Sequence, residues 1–190
     1  MNREDEHSSI AERHVSLPHV RREVWLVPLF ALLTTLGAML RIHLPGTPIP
    51  ATMQTFFVLV AGGIGGVMAG SLSQLLYLGL GLCGLPFFAG LSMGGAFTLS
   101  PTFGYLIGFI FAAGFMGMGR SRDRSLWMWI LKALAATTVI HIFGLSYFTF
   151  YTAGDIGSAF AMGVIPFIPW DIAKAIAAAI AIQKLNRRFI

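Results

Sequence analysis

A carboxylate and an ammonium group lie three residues apart in an otherwise apolar stretch near the end of the chain. The stretch is FIPWDIAKAIAAAIAIQK, residues 167–184, and the charged side chains near its start are Asp171 and Lys174. Residues three apart are neighbours on one face of a helix. A charge near the middle of a membrane costs on the order of 3 kcal/mol, and pairing does not remove the desolvation of the two ions. The pair is therefore either a lock on helix packing or part of a pocket, open to the outer face, in which a polar ligand meets both groups.

Other polar side chains are spaced so that they can converge on this pair. Gln54 opens a predicted helix near the outer surface, Ser73, Gln74 and Tyr77 lie in the segment SLSQLLYLG, and Tyr105 lies near the outer start of a later helix. Taken singly, each is typical of a helix–helix hydrogen bond or of an interfacial aromatic residue. Because ionisable residues inside a membrane mark functional sites by default, we favour the pocket.

Two features resemble parts of a catalytic site but lack the context that catalysis needs. The segment GLSMG, residues 90–94, places Ser92 in a G-x-S-x-G pattern, yet it lies in a glycine-rich loop between predicted helices rather than in a strand–turn–helix. His141 lies about mid-helix, away from that outside loop, and a lone histidine in an apolar helix is more typical of a hydrogen bond to a neighbouring helix. We therefore expect no enzyme, with an intramembrane serine protease kept as an alternative to test. The single cysteine, Cys83, and the lack of a Walker A or H-E-x-x-H motif predict no metal site, no cofactor and no ATP hydrolysis.

The composition places these residues in a membrane domain. The 190 residues are 56% hydrophobic and only 11% charged, whereas an ordinary soluble domain is about 25% charged. A spanning helix needs about 20 mainly apolar residues. The chain offers six such candidates, at residues 24–42, 52–66, 67–85, 101–119, 126–148 and 164–184. We predict an all-α integral membrane protein with six transmembrane helices, in which the second and third are joined by a glycine-rich turn at 62–66.

The distribution of basic residues predicts the orientation. With the N-terminus inside, ten Lys and Arg residues fall on the cytoplasmic side and only Arg41 falls in an outside loop, which is a strong positive-inside bias. Both termini are then cytoplasmic, and the outside loops are 41–51, 86–100 and 149–163. Residues 1–22 are predicted to be a disordered cytoplasmic tail, and 23–190 the six-helix membrane domain. The net charge of +5 therefore points to lipid headgroups as its partner and not to nucleic acid.

Four segments together resemble one known family. They are PIPATMQTFFVLVAGGIGG, SQLLYLGLGLCGLPFFAG, LSPTFGYLIGF and IPWDIAKA, at residues 48–66, 73–90, 99–109 and 168–175. Their order and spacing are similar to those of the BioY family, the biotin-binding S component of energy-coupling-factor transporters. The resemblance runs from about the first predicted helix to the end of the sixth and leaves out the tail.

The resemblance implies a site and a ligand. It places Asp171 and Lys174 in a biotin site that is reached from the outside. From the residues alone, Gln54, Tyr77 and Tyr105 are our further candidate contacts. The loop at 87–100 would close over the ligand, and Ser92 lies near the position at which some members carry an asparagine. Some members also carry an arginine where this chain has Leu106, so the partner of the biotin carboxylate is left open between Arg41 and backbone N–H groups of the glycine loop.

The resemblance also implies partners and a location. Members work in the bacterial cytoplasmic membrane as multi-pass proteins, with a transmembrane coupling subunit and ABC-type ATPases supplied by other chains. Their first helix docks onto the coupling subunit through small residues four apart, for which the nearest matches here are Ala31 with Thr35 and Thr34 with Ala38. Biotin would be the transported substrate. The alternative from the residues alone is an ion-coupled carrier for another small polar solute.

Overall fold

The computed structural model describes residues 17–119 and 125–189, with side chains described over 24–119 and 125–186. Six α-helices and two very short strands follow one another within these described residues. In order they are α1 (Leu17–Met39), β1 (Arg41–Ile42), β2 (Ala51–Thr52), α2 (Gln54–Leu82), α3 (Phe103–Gly117), α4 (Leu126–Tyr151), α5 (Ile156–Gly163) and α6 (Ile168–Phe189). Two 3-10 turns, Gly95–Leu99 and Ile165–Phe167, precede α3 and α6.

Helix α2 is a hairpin of two helical segments, and Gly66 is its turn. Gly66 has φ 77° and ψ −172° inside an otherwise helical run, a conformation that is essentially confined to glycine. Gln54 and Tyr77 are 23 residues apart yet share a hydrogen bond of 2.7 Å, whereas a straight helix would separate them by about 35 Å. The two halves therefore run antiparallel, and the predicted break at the glycine-rich segment is confirmed.

The other boundaries differ from the sequence prediction in three places. Residues 17–22 of the predicted tail belong to helix α1, and residues 1–16 lie outside the described part of the chain. Residues 41–42 end the predicted first span as a strand that pairs with 51–52. Residues 156–163 form α5 instead of part of a loop, because the Asp155 side chain accepts a hydrogen bond from the backbone N–H of Gly157 and caps the helix.

The hairpin α2 lies at the centre of the bundle, where it contacts α1, α3 and α6, and α4 packs against α3 and α6. Small residues bring the backbones close together. A Cβ atom on Gly62 would lie 2.1 Å from the carbonyl oxygen of Ala113, and one on Gly63 would lie 2.5 Å from Cδ1 of Ile182. Such contacts are typical of helices that pack in membranes.

The surface of the bundle is apolar. Leu32, Leu36, Phe111 and Ile142 are each more than half exposed, and contiguous exposed apolar surface is rare on soluble proteins. By length and composition, three stretches of the described chain qualify as membrane spans, Gln54–Leu82, Leu126–Tyr151 and Ile156–Asn186, and two shorter apolar helices accompany them. The prediction of an all-α membrane fold is confirmed, with the two-residue strand pair as the exception.

Candidate binding site

A cavity opens at the end of the bundle that carries the two strands. It contains about 600 Å³ of empty space, counting the part that is open to solvent. Helices α2, α3, α4 and α6 and strand β2 all contribute to its walls. The polar side chains among its lining residues are Thr52, Gln54, Thr55, Tyr77, Thr102, Tyr105, His141, Asp171 and Lys174.

The pair at the start of α6 forms the centre of this polar wall. Nζ of Lys174 lies 2.6 Å from Oδ1 of Asp171, and Nε2 of His141 lies 2.7 Å from Oδ2 of the same carboxylate. Nζ of Lys174 also donates to the backbone oxygen of Thr52 at 3.0 Å. The side chains of Asp171 and Lys174 are only 9% and 10% exposed. One carboxylate thus links α4, α6 and, through Lys174, strand β2.

Local structure explains why these groups meet. Asp171 lies in the first turn of α6, where a negative charge interacts favourably with the helix dipole, and Lys174 follows on the same face at i+3. Thr52 is fixed opposite Arg41 by the antiparallel strand pair. The strand pair therefore positions the backbone carbonyl that Lys174 contacts.

Gln54 and Tyr77 form a second polar group in the cavity. Nε2 of Gln54 donates to the Tyr77 hydroxyl at 2.7 Å, and the Thr52 hydroxyl donates to Oε1 of Gln54 at 3.0 Å. Both predicted site residues are buried and line the cavity. Because the Tyr77 oxygen accepts this bond, its own proton is left for a ligand.

Tyr105 lines the cavity with its ring but uses its hydroxyl elsewhere. The hydroxyl donates to the backbone oxygen of Gly163 at 2.7 Å, at the end of α5. The ring fills the space beside Gly144, where a Cβ atom would lie 2.2 Å from Cε1, and its centroid lies 6.1 Å from that of His141 in an edge-on arrangement. Tyr105 therefore holds α3, α4 and the end of α5 together while forming part of the wall.

Ser92 is not among the residues that line the cavity. Its hydroxyl donates to the backbone oxygen of Ala89 at 3.0 Å, and Ala89 does line the cavity. In this structure the serine hydroxyl stabilises its own loop, and a direct contact between Ser92 and the ligand stays a prediction. His141 is hydrogen-bonded to Asp171 and not to Ser92. Ser92 and His141 therefore do not form the serine–histidine pair that a serine protease needs.

The segment 83–102 covers the cavity through stacked aromatic rings. Phe88 is fully buried, with its ring centroid 5.8 Å from that of Tyr77 and 4.2 Å from that of Phe97. Phe97 lines the cavity. The guanidinium of Arg41 lies beside Gly90 of this segment, where a Cβ atom would be 2.0 Å from Nη1. Among the residues that the structure describes, the Arg41 side chain has no hydrogen bond and no ion pair.

The small residues that sequence reasoning assigned to docking lie inside the bundle. Ala31, Thr35 and Ala38 are at most 8% exposed, and Thr34 is fully buried. The Thr34 hydroxyl is within 3.2 Å of Oε1 of Gln74 in α2. This face of α1 packs against the hairpin and is covered by the chain itself. Docking of another subunit at these residues therefore stays a prediction, and in this structure the face is occupied by the chain's own hairpin.

His141 is the site residue that sequence reasoning missed. It was interpreted as a helix–helix hydrogen bond, and it does make one, but its partner is Asp171 at the centre of the cavity. Its ionisable character at membrane depth was the signal that could have placed it in the site. The partner lies 30 residues further along the chain on another helix, so spacing alone did not connect them.

Comparison with known proteins gives one consistent family. The BioY family profile matches residues 8–190. The "Probable biotin transporter BioY" of Pyrococcus horikoshii is 40% identical over 165 residues, covering 87% of this chain and 96% of that protein. The "Biotin transporter BioY" of Thermotoga maritima is 32% identical, with the same coverage of 87% and 96%.

A solved structure has the same fold. It is a crystal structure of the S-component for biotin from an ECF-type ABC transporter, with a TM-score of 0.81 and 22% identity, and it covers 87% of this chain and 91% of that one. From the profile match and the identity to its relatives, the chain belongs to the BioY family.

Proposed function

We propose that this chain captures biotin in the cavity as the substrate-specific S component of an energy-coupling-factor transporter. The observation that carries the proposal is the buried Asp171–Lys174 pair, which faces a cavity and retains unused hydrogen-bonding positions. The names of its relatives and of its structural neighbour supply the ligand.

The unused positions of the pair match a cyclic urea. A carboxylate offers about four acceptor positions, and the described residues fill one on each oxygen of Asp171, through Lys174 and His141. An ammonium group has three N–H donors, and Lys174 uses two, to Asp171 and to the Thr52 carbonyl. One ureido N–H group of biotin would donate to Asp171, and the ureido carbonyl oxygen would accept the third N–H of Lys174.

The rest of the cavity matches the apolar part of the ligand. Phe97, Phe109, Ile140 and Phe167 line it, and apolar and aromatic walls with a few polar groups are typical of such sites. They would enclose the thioether ring and the aliphatic tail. The Tyr77 hydroxyl supplies a further donor beside the ring.

Arg41 is our candidate for the partner of the biotin carboxylate. Leu106, which lines the cavity, cannot supply the charge that some members place at this position. The Arg41 guanidinium lies beside Gly90, next to Ala89 of the cavity wall. Its strand partner is Thr52, whose backbone oxygen contacts Lys174. A tail that leaves the ureido site along β2 would therefore end near the guanidinium, which is suited to bidentate carboxylate recognition.

The transport cycle needs other chains. We propose that six helices cross the bacterial cytoplasmic membrane with both termini in the cytoplasm, which is supported by the hairpin at Gly66 and by the distribution of Lys and Arg. The sequence lacks a Walker A motif, so a transmembrane coupling subunit and ABC-type ATPases would provide the energy. Docking through Ala31, Thr35 and Ala38 would require α1 to move, because these residues are buried.

The test is a comparison of binding and uptake by the purified chain. In detergent and without nucleotide, the wild type should bind biotin saturably, and Asp171→Asn and Lys174→Ala should not bind while remaining folded. Asp155→Asn is the matched control, because this carboxylate caps α5 on the surface and does not line the cavity. Uptake into liposomes by the chain alone, driven by an ion gradient, would instead support the ion-coupled carrier.

A further inference from the structure

We infer that His141 is a positioning residue for the ligand site. Its Nε2–H fixes the orientation of the Asp171 carboxylate, and this orientation determines how selective the site is for ligands that carry the matching N–H group. The inference rests on the proposed function, because it assumes that Asp171 receives one ureido N–H group of biotin. It concerns a residue that contacts the carboxylate, and it assigns no bond between His141 and the ligand.

The direction of the His141–Asp171 bond follows from the surrounding charges. Asp171 is 2.6 Å from the ammonium of Lys174, and an ionised carboxylate can only accept hydrogen bonds. The proton shared with Oδ2 at 2.7 Å therefore belongs to Nε2. The opposite nitrogen, Nδ1, is buried and has no hydrogen-bond partner among the described residues.

The unpaired Nδ1 argues against a role in packing alone. A buried acceptor without a partner is costly, and an apolar side chain of similar size would fill the same space between α4 and α6 without that cost. What imidazole adds at this position is the donor to Asp171. The hydrogen bond to Asp171 therefore explains why a histidine, and not an apolar residue, occupies position 141.

The Asp171 carboxylate is held against rotation by two hydrogen bonds that come from two different helices. The torsion that turns the carboxyl group of aspartate has a broad preference, so the rotamer does not set its plane. Lys174 bonds Oδ1 from the same helix, and His141 bonds Oδ2 from α4. With both bonds the remaining acceptor positions point in fixed directions, and with Lys174 alone the carboxylate can turn about one contact.

His141 is itself held in place by its neighbours. The titratable groups that face it from the packed elements are Asp171 and Lys174 on α6 and Tyr105 on α3. The edge-on contact with the Tyr105 ring restricts the imidazole, and the bond from the Tyr105 hydroxyl to Gly163 holds that ring in place. The chain Gly163–Tyr105–His141–Asp171 thus ties the carboxylate direction to the junction before α6.

The consequence is selectivity between ureido rings and analogues that lack one N–H. Suitable probes are the two cyclic carbamate analogues of biotin, in which one or the other ureido N–H is replaced by oxygen. A fixed carboxylate rejects the analogue that leaves it unpaired, because a buried polar group without its partner is penalised. A carboxylate that can turn accepts either ring with a smaller difference.

The experiment compares two substitutions of His141 in the full-length chain. His141→Gln keeps an N–H donor that can reach Asp171, and His141→Leu removes the donor at similar size. Titration with biotin and the carbamates, with thermal unfolding of each variant in detergent, gives affinity, selectivity and stability. We expect His141→Leu to lose about 10- to 100-fold in biotin affinity and most of the selectivity, and His141→Gln to stay within a few-fold of the wild type in both.

The outcomes separate this inference from the proposed function. If the folded wild type does not bind biotin, the proposed function fails. If biotin binds and Asp171→Asn abolishes binding, but His141→Leu keeps wild-type affinity and selectivity, only the positioning role is refuted. Equal losses in His141→Leu and His141→Gln would also refute it. Should His141→Leu fail to fold, His141→Asn, whose amide is too short to reach Asp171, takes its place with the same expected loss.

Discussion

Removing the ammonium of Lys174 separates a structural ion pair from a binding site. The substitution Lys174→Met keeps most of the side-chain volume and deletes the bonds to Asp171 at 2.6 Å and to the Thr52 carbonyl at 3.0 Å. Because both charged side chains are at most 10% exposed, the relevant scale is the 3 to 5 kcal/mol for breaking a buried pair and not the smaller value of an exposed one. Because His141 still bonds Oδ2 of Asp171, we expect the free energy of unfolding to fall by the lower end of this range, about 3 kcal/mol.

The double variant Asp171→Asn/Lys174→Met decides between the two interpretations. Asparagine still accepts the His141 proton but carries no charge, so we expect at least half of the lost stability to return, since replacing both members of a buried pair is often close to neutral. Binding should not return, because neither the carboxylate acceptors nor the ammonium donor is present. The measurements are unfolding in detergent and biotin titration of the same preparations. A double variant that regains stability and binds biotin as the wild type does would refute the assignment of the pair to the site.

Three further predictions concern the turn, the tail of the ligand and a helix cap. Gly66→Ala should destabilise the chain by about 1 to 3 kcal/mol, because φ at Gly66 is 77°. Gly79→Ala, at a helical position with open space around it, should leave stability unchanged. Thermal unfolding in detergent compares the two variants, and equal effects would contradict the turn assignment. Arg41→Gln should weaken biotin about 10-fold but leave biotin amide, which has no carboxylate, unchanged; an equal loss for both ligands would exclude the proposed contact. The Ser158 hydroxyl and nearby backbone N–H groups hold the pKa of Asp155 below its usual 3.8. The stabilisation by this helix cap is therefore complete above about pH 3.8 and is lost as the pH falls through the lowered pKa of the folded state. An NMR pH titration should show that the pKa of Asp155 is higher in Ser158→Ala than in the wild type.

The parts of the fold that sequence predicted are those with local signals. The glycine-rich segment around Gly66 marks a break whatever the surroundings, because a turn in a continuous apolar run needs a residue that adopts positive φ. The Asp171–Lys174 pair is equally local, since i and i+3 share a helix face. Helix α5 was missed although its signal was present: Asp155 directly precedes it, and an aspartate at that point is a common helix N-cap.

The parts that sequence did not predict depend on contacts between distant elements. The bond of His141 to Asp171 and that of Lys174 to Thr52 cross 30 and 122 residues of the chain. Which face of α1 packs against the hairpin was not predicted, for a related reason. A helix that is apolar on all sides carries little information about which face packs inward, and only the structure shows Ala31 and Thr35 buried.

The most direct test of the account is the biotin-binding isotherm of the isolated chain beside that of Asp171→Asn. We predict saturable binding by the wild type in detergent without nucleotide, no measurable binding by Asp171→Asn, and unchanged binding by the surface control Asp155→Asn. Asp155→Asn should unfold at the wild-type temperature, and Asp171→Asn, which is less stable because Lys174 loses its buried partner, should still be folded at the temperature of the titration. Wild-type affinity in a folded Asp171→Asn, or no binding by the folded wild type, would contradict the central claim that the buried carboxylate of α6 holds biotin.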